Sequence, residues 1–496
     1  MGQPVIDQIW HIESKKLSSL KIHMATFKLF NNHINVTFIF LAVCEALILY
    51  CSIFVAVAIR FGTFDFDSDV VVAGVGSLSL KAAVFALVHM LFMTALGLYQ
   101  VEQFRGKTGF VQMISRVIVS LFLVSIVLIV LFYIFPSIRL GRGIIAIAFL
   151  VVLASLIIVR RIFLGTVDGN VFVSNILVFG VGKNAASLFA SNENYKPSPG
   201  YRLKGFVNTP VQEKVVPDHL IIELGESLLV QATKLGVNEI VVALDDRRQG
   251  YPVQHLLDCK LAGIQITDPV SFLEREQGKV NLALMNPSWM IFSDGFTVSW
   301  FKTALSRFFD IAASLSILIL TAPILLITAF LIALESGFKE PIFYRQQRVG
   351  KNGENFDLLK FRSMQVNAEK GGAQWAAKND ARVTSVGKFI RKVRIDEVPQ
   401  ILNILKGDMR LVGPRPERPE FVNKLSKTIS MYSQRHSVKP GLAGWAQLKY
   451  PYGATEQDAY EKLQYDLYYI KNANPVMDFF ILLQTLEVVI FGKGVR

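Results

Sequence analysis

The residue types best suited to chemistry are concentrated between residues 340 and 418, where carboxylates, cations and glycines are closely spaced. This segment holds 16 Lys or Arg against 9 Asp or Glu, and so carries more than half of the chain's net charge of +13. Asp396 and Glu397 are adjacent at its centre, and Arg391 and Arg394 precede Asp396 by five and two residues. Mg²⁺ favours carboxylates together with substrate phosphates. The segment therefore predicts a phosphate-handling site in which Glu397 supplies oxygen to Mg²⁺.

The carboxylate pair is predicted to lie at the start of a helix. Pro399 is tolerated in the first turn of a helix but not in its interior, so a helix should begin near Asp396 and continue to Gly407. Asp396 would then be the N-cap, where free N–H groups and the helix dipole attract phosphate. On these residues alone, a capped helix beside a surface arginine cluster is the alternative.

Further cations that could bind phosphate lie in rigid or extended segments nearby. Two prolines flank one arginine, and this rigidity presents its guanidinium fork in a fixed direction. Two other cations are spaced by two residues and share one face if that segment is extended, while a Gly/Pro-rich turn carries a lysine. These candidates are Arg415, Lys360, Arg362 and Lys439, with Asp380 as a possible pocket residue.

The surplus of positive charge does not indicate a nucleic-acid binder. Such proteins combine a basic block with a reading helix or with stacking aromatic residues, and neither is identifiable in this segment. Three cysteines in 496 residues also exclude a disulfide scaffold. A phosphate-handling site next to a membrane is the better interpretation.

Apolar segments predict the membrane. Hydrophobic residues make up 52% of the chain and charged residues 18%, and the apolar excess is clustered. Four runs near the roughly 20 residues needed to cross a bilayer predict a transmembrane bundle over 35–161, with spans at 35–59, 79–99, 117–135 and 143–159. Lysines before the first run and arginines after the last indicate cytoplasmic ends, so residues 1–34 should form a cytoplasmic segment.

A fifth apolar run, residues 311–334, is predicted not to cross. Basic residues both precede and follow it, so neither end has a reason to lie outside the cell. Pro323 is near its middle and would remove a backbone hydrogen bond. We expect a re-entrant membrane helix over about 308–336 that enters from the cytoplasmic face, breaks at Pro323 and returns. An ordinary kinked span is the alternative.

Residues 174–280 have the pattern of a Rossmann-like α/β domain. Short apolar strands alternate with helical stretches, which favours a parallel sheet. Gly180, Gly182 and Ala185 fit the GxGxxG/A turn of dinucleotide-binding domains. The next strand, however, ends at Asn208 and offers no acidic residue to hold a ribose. The turn is thus either a weak nucleotide site or a tight strand-to-helix turn in a regulatory or scaffolding domain.

The sequence from about residue 302 to 496 resembles the bacterial sugar transferase family, the monotopic polyprenol-phosphate phosphoglycosyl transferases. The resembling stretches are FYRQQRVGKNGENFDLLKFRSM, NDARVTSVGKFIRKVRIDEVPQILNILKGDMRLVGPRPERPEF and KPGLAGWAQ. With the four preceding spans and the Rossmann-like domain, the whole chain resembles the large members, such as undecaprenyl-phosphate glucose or galactose phosphotransferases. Val398 stands where many relatives have Leu, an apolar exchange that changes little.

The resemblance implies a reaction and roles for the site residues. A UDP-sugar and undecaprenyl phosphate would give polyprenyl diphosphate sugar and UMP, the initiating step of exopolysaccharide, capsule or O-antigen synthesis. Asp396 would be the nucleophile that forms an aspartyl phosphosugar, and Glu397 would hold Mg²⁺. Phosphate oxygens would be bound by Arg391, Arg394 and Arg415, with Lys360, Arg362, Asp380 and Lys439 near the pocket.

The resemblance also implies a cellular setting. The chain would be a multi-pass protein of the bacterial cytoplasmic (inner) membrane, with a mainly α-helical catalytic domain over 302–496 on the cytoplasmic side. No motif selects the sugar, but four-span relatives favour UDP-glucose or UDP-galactose. Membrane lipids would surround the apolar helices, and the size of the soluble face suggests a homodimer. The C-terminal run 476–491 predicts either an interfacial helix or a buried core helix.

Two other functions share parts of this organisation. A non-catalytic, nucleotide-sensing membrane regulator of polysaccharide assembly would be expected to lack the Asp–Glu pair, which is present here. A membrane-anchored nucleotide-sugar dehydratase or epimerase needs an intact glycine fingerprint and, usually, a YxxxK pair. None of the 14 tyrosines is followed by lysine four residues later, so the transferase remains the leading hypothesis.

Overall fold

The chain divides into two units of structure, Met1–Val173 and Ser174–Arg496. The second unit begins where the sequence predicts the middle segment to begin. A computed structural model describes residues 26–29, 32–64, 77–99, 109–166, 174–189, 201–209, 213–246, 252–285, 293, 295–296, 300–366, 382–451, 453 and 455–491.

The first unit consists of a strand pair followed by four apolar helices. Strands β1 (Thr26–Leu29) and β2 (Asn32–Asn35) pair antiparallel, which the sequence analysis did not predict. The helices are α1 (Val36–Phe61), α2 (Leu78–Ala95), α3 (Gly109–Ile134) and α4 (Arg142–Thr166). Four apolar helices are thus confirmed, although α3 begins well before the predicted residue 117.

Three of these helices are long and apolar enough to cross a bilayer, over Ile39–Phe61, Met113–Ile134 and Arg142–Phe163. The apolar stretch of α2, Leu78–Thr94, is shorter. The 18 residues of helix α2 rise about 27 Å, close to the roughly 30 Å of a hydrocarbon core. The protein is therefore a membrane protein.

A buried ion pair joins α1 to α4. Arg160 donates to the two Glu45 carboxylate oxygens at 2.6 and 2.8 Å, and both side chains are at most 1% exposed. The Tyr99 hydroxyl donates to the same carboxylate at 2.6 Å. Arg160 is therefore part of a buried ion pair and does not count as a basic residue of a membrane-flanking loop. The predicted cytoplasmic orientation of the chain ends depends on the other basic residues.

The second unit begins with a parallel α/β region, as predicted. Alternate residues of its first strand face two apolar cores, one on each side of the sheet. The strands are β3 (Ser174–Phe179), β4 (Tyr201–Val207), β5 (Ile221–Ile222), β6 (Glu239–Val242) and β7 (Gln265–Thr267). Neighbouring strands in the sheet are all parallel and lie in the order β5-β4-β3-β6-β7, which is the order of doubly wound sheets.

The nucleotide-type glycine turn after β3 is filled by a side chain of the same region. The turn leads into the short helix α5 (Lys183–Ser187). Asp245, which follows β6, accepts hydrogen bonds from the amides of Lys183 and Asn184 at 2.9 and 2.7 Å. A Cβ at Gly182 would overlap this carboxylate. Amides in this position would otherwise face a pyrophosphate, so the contacts favour a structural turn over a nucleotide site.

The remaining helices of the α/β region are α6 (Leu228–Lys234), α7 (Val253–Leu261) and α8 (Pro269–Gln277). The end of α8 is tied to the C-terminal part of the chain. Glu274 pairs with Lys471 at 2.6 Å, and the Trp445 indole donates to the Gly278 carbonyl at 2.8 Å. The α/β region is therefore anchored to the region that contains the carboxylate pair.

The C-terminal region is mainly helical, as predicted, with two small strand pairs. Strands β8 (Phe343–Val349) and β9 (Asn355–Phe361) form an antiparallel hairpin, and β10 (Arg410–Val412) pairs parallel with β11 (Gly441–Ala443). The helices are α9 (Trp300–Glu335), α10 (Ser385–Lys392), α11 (Gln400–Lys406), α12 (Pro419–Thr428), α13 (Trp445–Lys449), α14 (Glu456–Asn472) and α15 (Pro475–Phe491).

Helix α9 contains the fifth apolar run and is continuous through Pro323. The predicted break in the helix is therefore not present. A proline fits the backbone dihedral angles of a helix and removes one hydrogen bond to the preceding turn, which a long helix can tolerate. The 36 residues of α9 rise about 54 Å, so the helix is much longer than a bilayer core is thick.

The first half of α15 is a core helix. Met477 and Ile481 are buried in the apolar core of the C-terminal region. Asp478 accepts hydrogen bonds from Arg410 at 2.7 Å and from the Tyr469 hydroxyl at 2.8 Å. Of the two interpretations of this run, buried core helix describes the part up to Thr485, whose side chains the structure describes.

Candidate active site

Asp396 lies in a 3₁₀ turn between two helices. The turn covers Ile395–Glu397 and links α10 to α11. Arg394, immediately before it, has a left-handed backbone with φ of 61°, a conformation that non-glycine residues adopt rarely. Strained backbone of this kind is often found at functional sites. The reversal at Arg394 turns the chain so that Asp396 is 8% exposed.

The predicted N-cap position of Asp396 is wrong. The helical hydrogen bonds begin before Asp396, in a 3₁₀ turn in which Val398 N donates to Ile395 O at 3.1 Å. The α-helix proper begins only after Pro399, which lacks an N–H to donate. The predicted end of this helix at Gly407 is confirmed.

Asn403 on α11 holds strand β9 in place and thereby positions Lys360 opposite Glu397. Its side-chain amide donates to the Asp357 carbonyl at 2.7 Å and accepts from the Leu359 amide at 3.0 Å. Asn403 is only 6% exposed. The distance from the cation to the carboxylate is therefore fixed by backbone contacts and not only by long side chains.

Helix α10 carries Arg391 and packs directly on the chain after β9. Thr384 caps it by accepting from the Gly387 amide at 3.0 Å. A Cβ at Gly387 would overlap the backbone of Ser363, so only glycine permits this close approach. The Val386 amide also donates to Glu335 at the end of α9, at 3.2 Å.

Glu397 is the partner of two cations. Lys360 Nζ lies 3.0 Å and Arg415 Nη2 lies 2.9 Å from the same oxygen, Oε1. Burial acts to raise the pKa of Glu397, but the positive charges of Lys360 and Arg415 outweigh it and hold that pKa well below its usual range. Glu397 is therefore ionised at neutral pH, and the structure brings three predicted site residues together.

Asp396 has the opposite electrostatic setting. Its Oδ1 atom is buried and has no hydrogen-bond partner among the described residues. Burial and the neighbouring Glu397 charge raise its pKa, while Lys360, Arg391 and Arg394 act in the other direction. A buried carboxylate oxygen with no partner is poorly solvated, and such a group is a stronger nucleophile than one held by hydrogen bonds.

The residues present fit a divalent cation bound together with a substrate. The described residues contain no group of three or more His, Cys, Asp or Glu that could hold a metal alone. Mg²⁺ is usually held by one or two carboxylates plus substrate phosphates. Asp396 and Glu397 provide such a pair, and the unpartnered Oδ1 of Asp396 leaves coordination capacity unused.

Two predicted phosphate ligands contact other parts of the molecule. Arg362 follows β9, is 6% exposed and pairs with Glu340 at 2.6 Å, so it fastens the chain after α9. Lys439 lies beside Gly407, and its charged neighbours are Arg307, Lys351, Asp408 and Asp310. Asp380 lies outside the described residues.

A buried network behind Arg415 was not identified from the sequence. Arg435 donates to the Arg415 carbonyl at 3.0 Å and to the Tyr432 hydroxyl at 2.7 Å. It also pairs with Asp466 at 2.8 Å, and both charged side chains are at most 7% exposed. The network fixes the backbone from which Arg415 reaches Glu397. Its residues come from three separate segments, around Arg415, Tyr432–Arg435 and Asp466, and match no short motif, so no local signal could have revealed it.

The position of Arg391 gives a pH-dependent prediction. Its positive charge lowers the pKa of Asp396 against the effects of burial and Glu397. Replacing Arg391 with Gln should therefore raise that pKa. If ionised Asp396 is needed for turnover, the acid limb of the kcat/KM profile should move to higher pH.

The profile is to be measured as nucleotide release across the acidic and neutral range. Lys392→Gln removes the same charge from an exposed position on the next residue of α10 and should leave the acid limb in place. An unchanged limb in Arg391→Gln, or an equal shift in both variants, would contradict the assignment of this limb to Asp396.

Known proteins match the part of the chain that contains this site. A sequence profile of the bacterial sugar transferase family matches residues 301–492. The chain is 40% identical over 252 residues to the UDP-N-acetylgalactosamine-undecaprenyl-phosphate N-acetylgalactosaminephosphotransferase of Aeromonas hydrophila, covering 51% of this chain and 58% of that protein. The match thus spans a little more than half of the Aeromonas protein.

Two further relatives match shorter stretches of the chain. The exopolysaccharide production protein PSS of Rhizobium leguminosarum bv. phaseoli is 38% identical over 197 residues, which is 38% of this chain and 98% of that protein. The UDP-glucose:undecaprenyl-phosphate glucose-1-phosphate transferase of Xanthomonas campestris pv. campestris is 40% identical over 171 residues, 34% of this chain and 35% of that protein. Since almost the whole Rhizobium protein is matched, the chain belongs to the bacterial sugar transferase family.

Proposed function

We propose that the protein transfers a sugar 1-phosphate from a UDP-sugar to undecaprenyl phosphate, releasing UMP. The product would be an undecaprenyl diphosphate sugar, the starting unit of an exopolysaccharide, capsule or O-antigen. One phosphoanhydride is exchanged for another, so no external energy source is required. The names of the Aeromonas and Xanthomonas relatives support undecaprenyl phosphate as acceptor.

The contrast between Asp396 and Glu397 is the observation that carries this proposal. Glu397 is held by two cations, whereas Asp396 beside it has a buried oxygen with no hydrogen-bond partner among the described residues. Two adjacent carboxylates in such different surroundings suit different tasks. Asp396 is suited to attack phosphorus, and Glu397 is suited to remain charged.

In the first step, an Asp396 carboxylate oxygen attacks the sugar-bearing phosphorus of the donor. A new P–O bond forms to the aspartate, and the bond between that phosphorus and the UMP oxygen breaks. UMP leaves with the electron pair of that bond, and a phosphosugar remains on Asp396. Arg415, which is 35% exposed beside Glu397, is placed to contact phosphate oxygens, with Arg391 and Arg394 adding positive charge. Phosphoryl transfer mainly needs such positioning and charge stabilisation.

In the second step, a phosphate oxygen of undecaprenyl phosphate attacks the same phosphorus. The acyl phosphate bond breaks, and its electron pair returns to Asp396 as a carboxylate. A covalent intermediate divides one difficult displacement into two easier ones. Glu397 would hold Mg²⁺, which would neutralise negative charge between the carboxylates and the substrate phosphates.

We further propose that α9 bends at Pro323, where a proline can kink a helix without ending it, and so re-enters the cytoplasmic face without crossing the membrane. Arg307 near its start donates to the Leu405 carbonyl at 2.7 Å, and Glu335 at its end accepts from Val386. Both ends thus contact one folded region, whereas the ends of a crossing helix would lie on opposite sides of a bilayer about 30 Å thick. This topology keeps the site at the level of the lipid phosphate.

Cysteines introduced at positions 305 and 340 test this topology in intact cells. We expect both to react with a membrane-impermeant thiol reagent only after the cytoplasmic side is opened. Labelling of one position from the outside would mean that α9 crosses the membrane. The native cysteines are Cys44, Cys51 and Cys259, and a background in which these are replaced serves as the control.

For the α/β region, we infer a Rossmann-like scaffold. The contacts of Asp245 with the glycine turn and of α8 with α14 support a structural role over a nucleotide site. Purified protein is accordingly expected to contain no bound NAD.

The reaction is tested by UMP release from the full chain in detergent, with undecaprenyl phosphate and Mg²⁺. The donor panel includes UDP-glucose and UDP-galactose, which we favour, and UDP-N-acetylgalactosamine, which the name of the Aeromonas relative indicates. UMP release that depends on lipid and on one donor would support the proposal. If no nucleotide sugar yields a nucleotide product, a nucleotide-sensing regulator becomes the better hypothesis.

A further inference from the structure

Three cations cluster at the base of α9. They are Arg307, Lys351 and Lys439, here called the basic cluster. A Cβ placed on Gly407 would lie 3.6 Å from both Arg307 Nη2 and Lys439 Nζ, so these two charged groups are neighbours. Lys351 is close enough for its charge to act on Lys439.

The acids whose charges act on Lys439 are paired with cations outside the basic cluster. Asp408 pairs with Lys406 at 3.1 Å, and Asp310 pairs with Arg410 at 3.1 Å. The side-chain ammonium groups of Lys351 and Lys439 form no hydrogen bond or ion pair with any residue that the structure describes. Burial and the charges of Arg307 and Lys351 lower the pKa of Lys439 and outweigh the opposing charges of Asp408 and Asp310, which is the effect expected where positive charges gather at a partly buried position.

The basic cluster lies at the end of α9 where its apolar run, which we expect to enter the hydrocarbon core of the membrane, begins. Arg307 lies just before residues 311–334, which contain no charged side chain. Large aromatic side chains surround this level of the helix and are exposed: Trp300 80%, Phe301 61%, Phe308 66% and Phe309 54%. Aromatic residues together with basic residues are typical of the membrane–water interface.

Arg307 also has a structural role that fixes the cluster. It donates to the carbonyls of Ile404 and Leu405 at 2.5 and 2.7 Å. The cation at the helix base is therefore held rigidly to the end of α11, and Lys439 is presented beside it. A preorganised pair of cations at the head-group level matches a phosphate group.

We propose that the basic cluster binds the phosphate of an anionic phospholipid head group at the membrane surface beside the start of α9. Positive charge close to an anionic leaflet is attracted to it, and the exposed aromatic residues would contact the acyl boundary. This site is separate from Lys360 and Arg415, which hold Glu397. It assigns to Lys439 a phosphate outside the proposed reaction, and it does not depend on that reaction.

Native mass spectrometry of the delipidated full chain tests the proposal. Phosphatidylglycerol is titrated as the anionic probe and phosphatidylcholine as the reference without net charge. Lys351→Gln combined with Lys439→Gln removes two charges of the cluster and leaves Arg307 to cap α11. Lys424→Gln combined with Lys427→Gln removes two charges from exposed positions on α12 and is the matched control.

We expect the first double variant to bind phosphatidylglycerol about tenfold more weakly or worse, as for the loss of two cations near an anionic surface. The control and the phosphatidylcholine titration should not change. Equal phosphatidylglycerol affinity in wild type and variant would overturn the proposal, as would an equal loss in the control. Displacement by millimolar inorganic phosphate would show a free-anion site and overturn the assignment to a lipid.

Folding is checked by thermal unfolding of each variant. If the double variant is unfolded, Lys351→Gln alone gives the answer, because this side chain is exposed on a short turn and its loss should weaken lipid binding partially. Unchanged binding in that variant would equally contradict the proposal. UMP release is not a readout here, so failure of the transferase assignment would leave this test intact.

Discussion

Asp396→Asn is expected to reduce UMP release by about 10³-fold or more, because loss of a catalytic nucleophile has effects of this order or larger. Asn has nearly the same shape as Asp but cannot form the phosphosugar bond. Arg391, Arg394 and Arg415 remain in place in the variant. The change therefore removes the covalent step and keeps substrate binding, which makes kcat the affected parameter rather than KM.

The same variant should fold at least as well as the wild type. Burial and the adjacent Glu397 charge raise the pKa of Asp396, which means that the fold disfavours the charged form. A neutral Asn relieves that cost. Loss of activity without a lower melting temperature would separate a catalytic role from a structural one.

Asp357→Asn is a matched control for this experiment. It is the same chemical change on β9, three residues from Lys360, at an exposed side chain, and activity should be retained. In a single turnover without lipid, the wild type should release UMP and gain the mass of a sugar phosphate, whereas Asp396→Asn should do neither. Full activity in Asp396→Asn would refute the aspartyl intermediate even though family membership would stand.

The site residues that lie in segments with a clear local pattern could be predicted from the sequence. Asp396, Glu397 and Arg415 have prolines or charged residues beside them that restrict the possible backbone and role, and Lys360 lies on a strand with a clear pattern. These four residues converge in the structure. The 3₁₀ turn that contains Asp396, in place of the predicted helix N-cap, could not be predicted in the same way. A 3₁₀ turn and the first turn of an α-helix have similar local sequence preferences. The left-handed residue Arg394 has no signature of its own.

Contacts between distant segments account for the other differences. Arg362 was expected on the same face as Lys360, but β9 ends at Phe361 and the alternation of faces ends with it. Lys439 is predicted as a phosphate ligand because its Gly/Pro-rich turn carries a cation. Its position beside Gly407 follows from the pairing of β10 with β11, which no short motif reveals.

The glycine turn of the α/β region likewise depends on a contact with a distant segment that a local motif does not reveal. Gly182 and its neighbours fit a nucleotide fingerprint, yet the anion position is taken by Asp245, which is 62 residues from Lys183 along the chain. A short motif defines a backbone shape, and the group that occupies this shape is decided by tertiary structure. The absence of an acidic residue after β4 was the one sequence feature that argued against a nucleotide.

Glu397→Gln is expected to lower UMP release by about 10²-fold or more, because the ligand that would hold Mg²⁺ loses its charge. The variant also leaves Lys360 and Arg415 without the carboxylate that they share at 3.0 and 2.9 Å. Removing one partner of a largely buried pair is destabilising, here by about 2 kcal/mol or more. Activity and stability should therefore fall together. The loss of the Mg²⁺ ligand and the loss of the ion pair must then be separated as causes of the lower activity.

Lys360→Met separates them, since it breaks the same ion pair but keeps the carboxylate. The concentration of Mg²⁺ that gives half-maximal UMP release should rise strongly in Glu397→Gln. In Lys360→Met it should stay the same or fall, because Glu397 loses a competitor for its oxygen. Combining the two changes should recover part of the lost stability, as no buried lysine is left unpaired, while the weak response to Mg²⁺ persists. Normal Mg²⁺ dependence in Glu397→Gln would mean that Glu397 only anchors Lys360 and Arg415, and that any metal is held by Asp396 and the substrate.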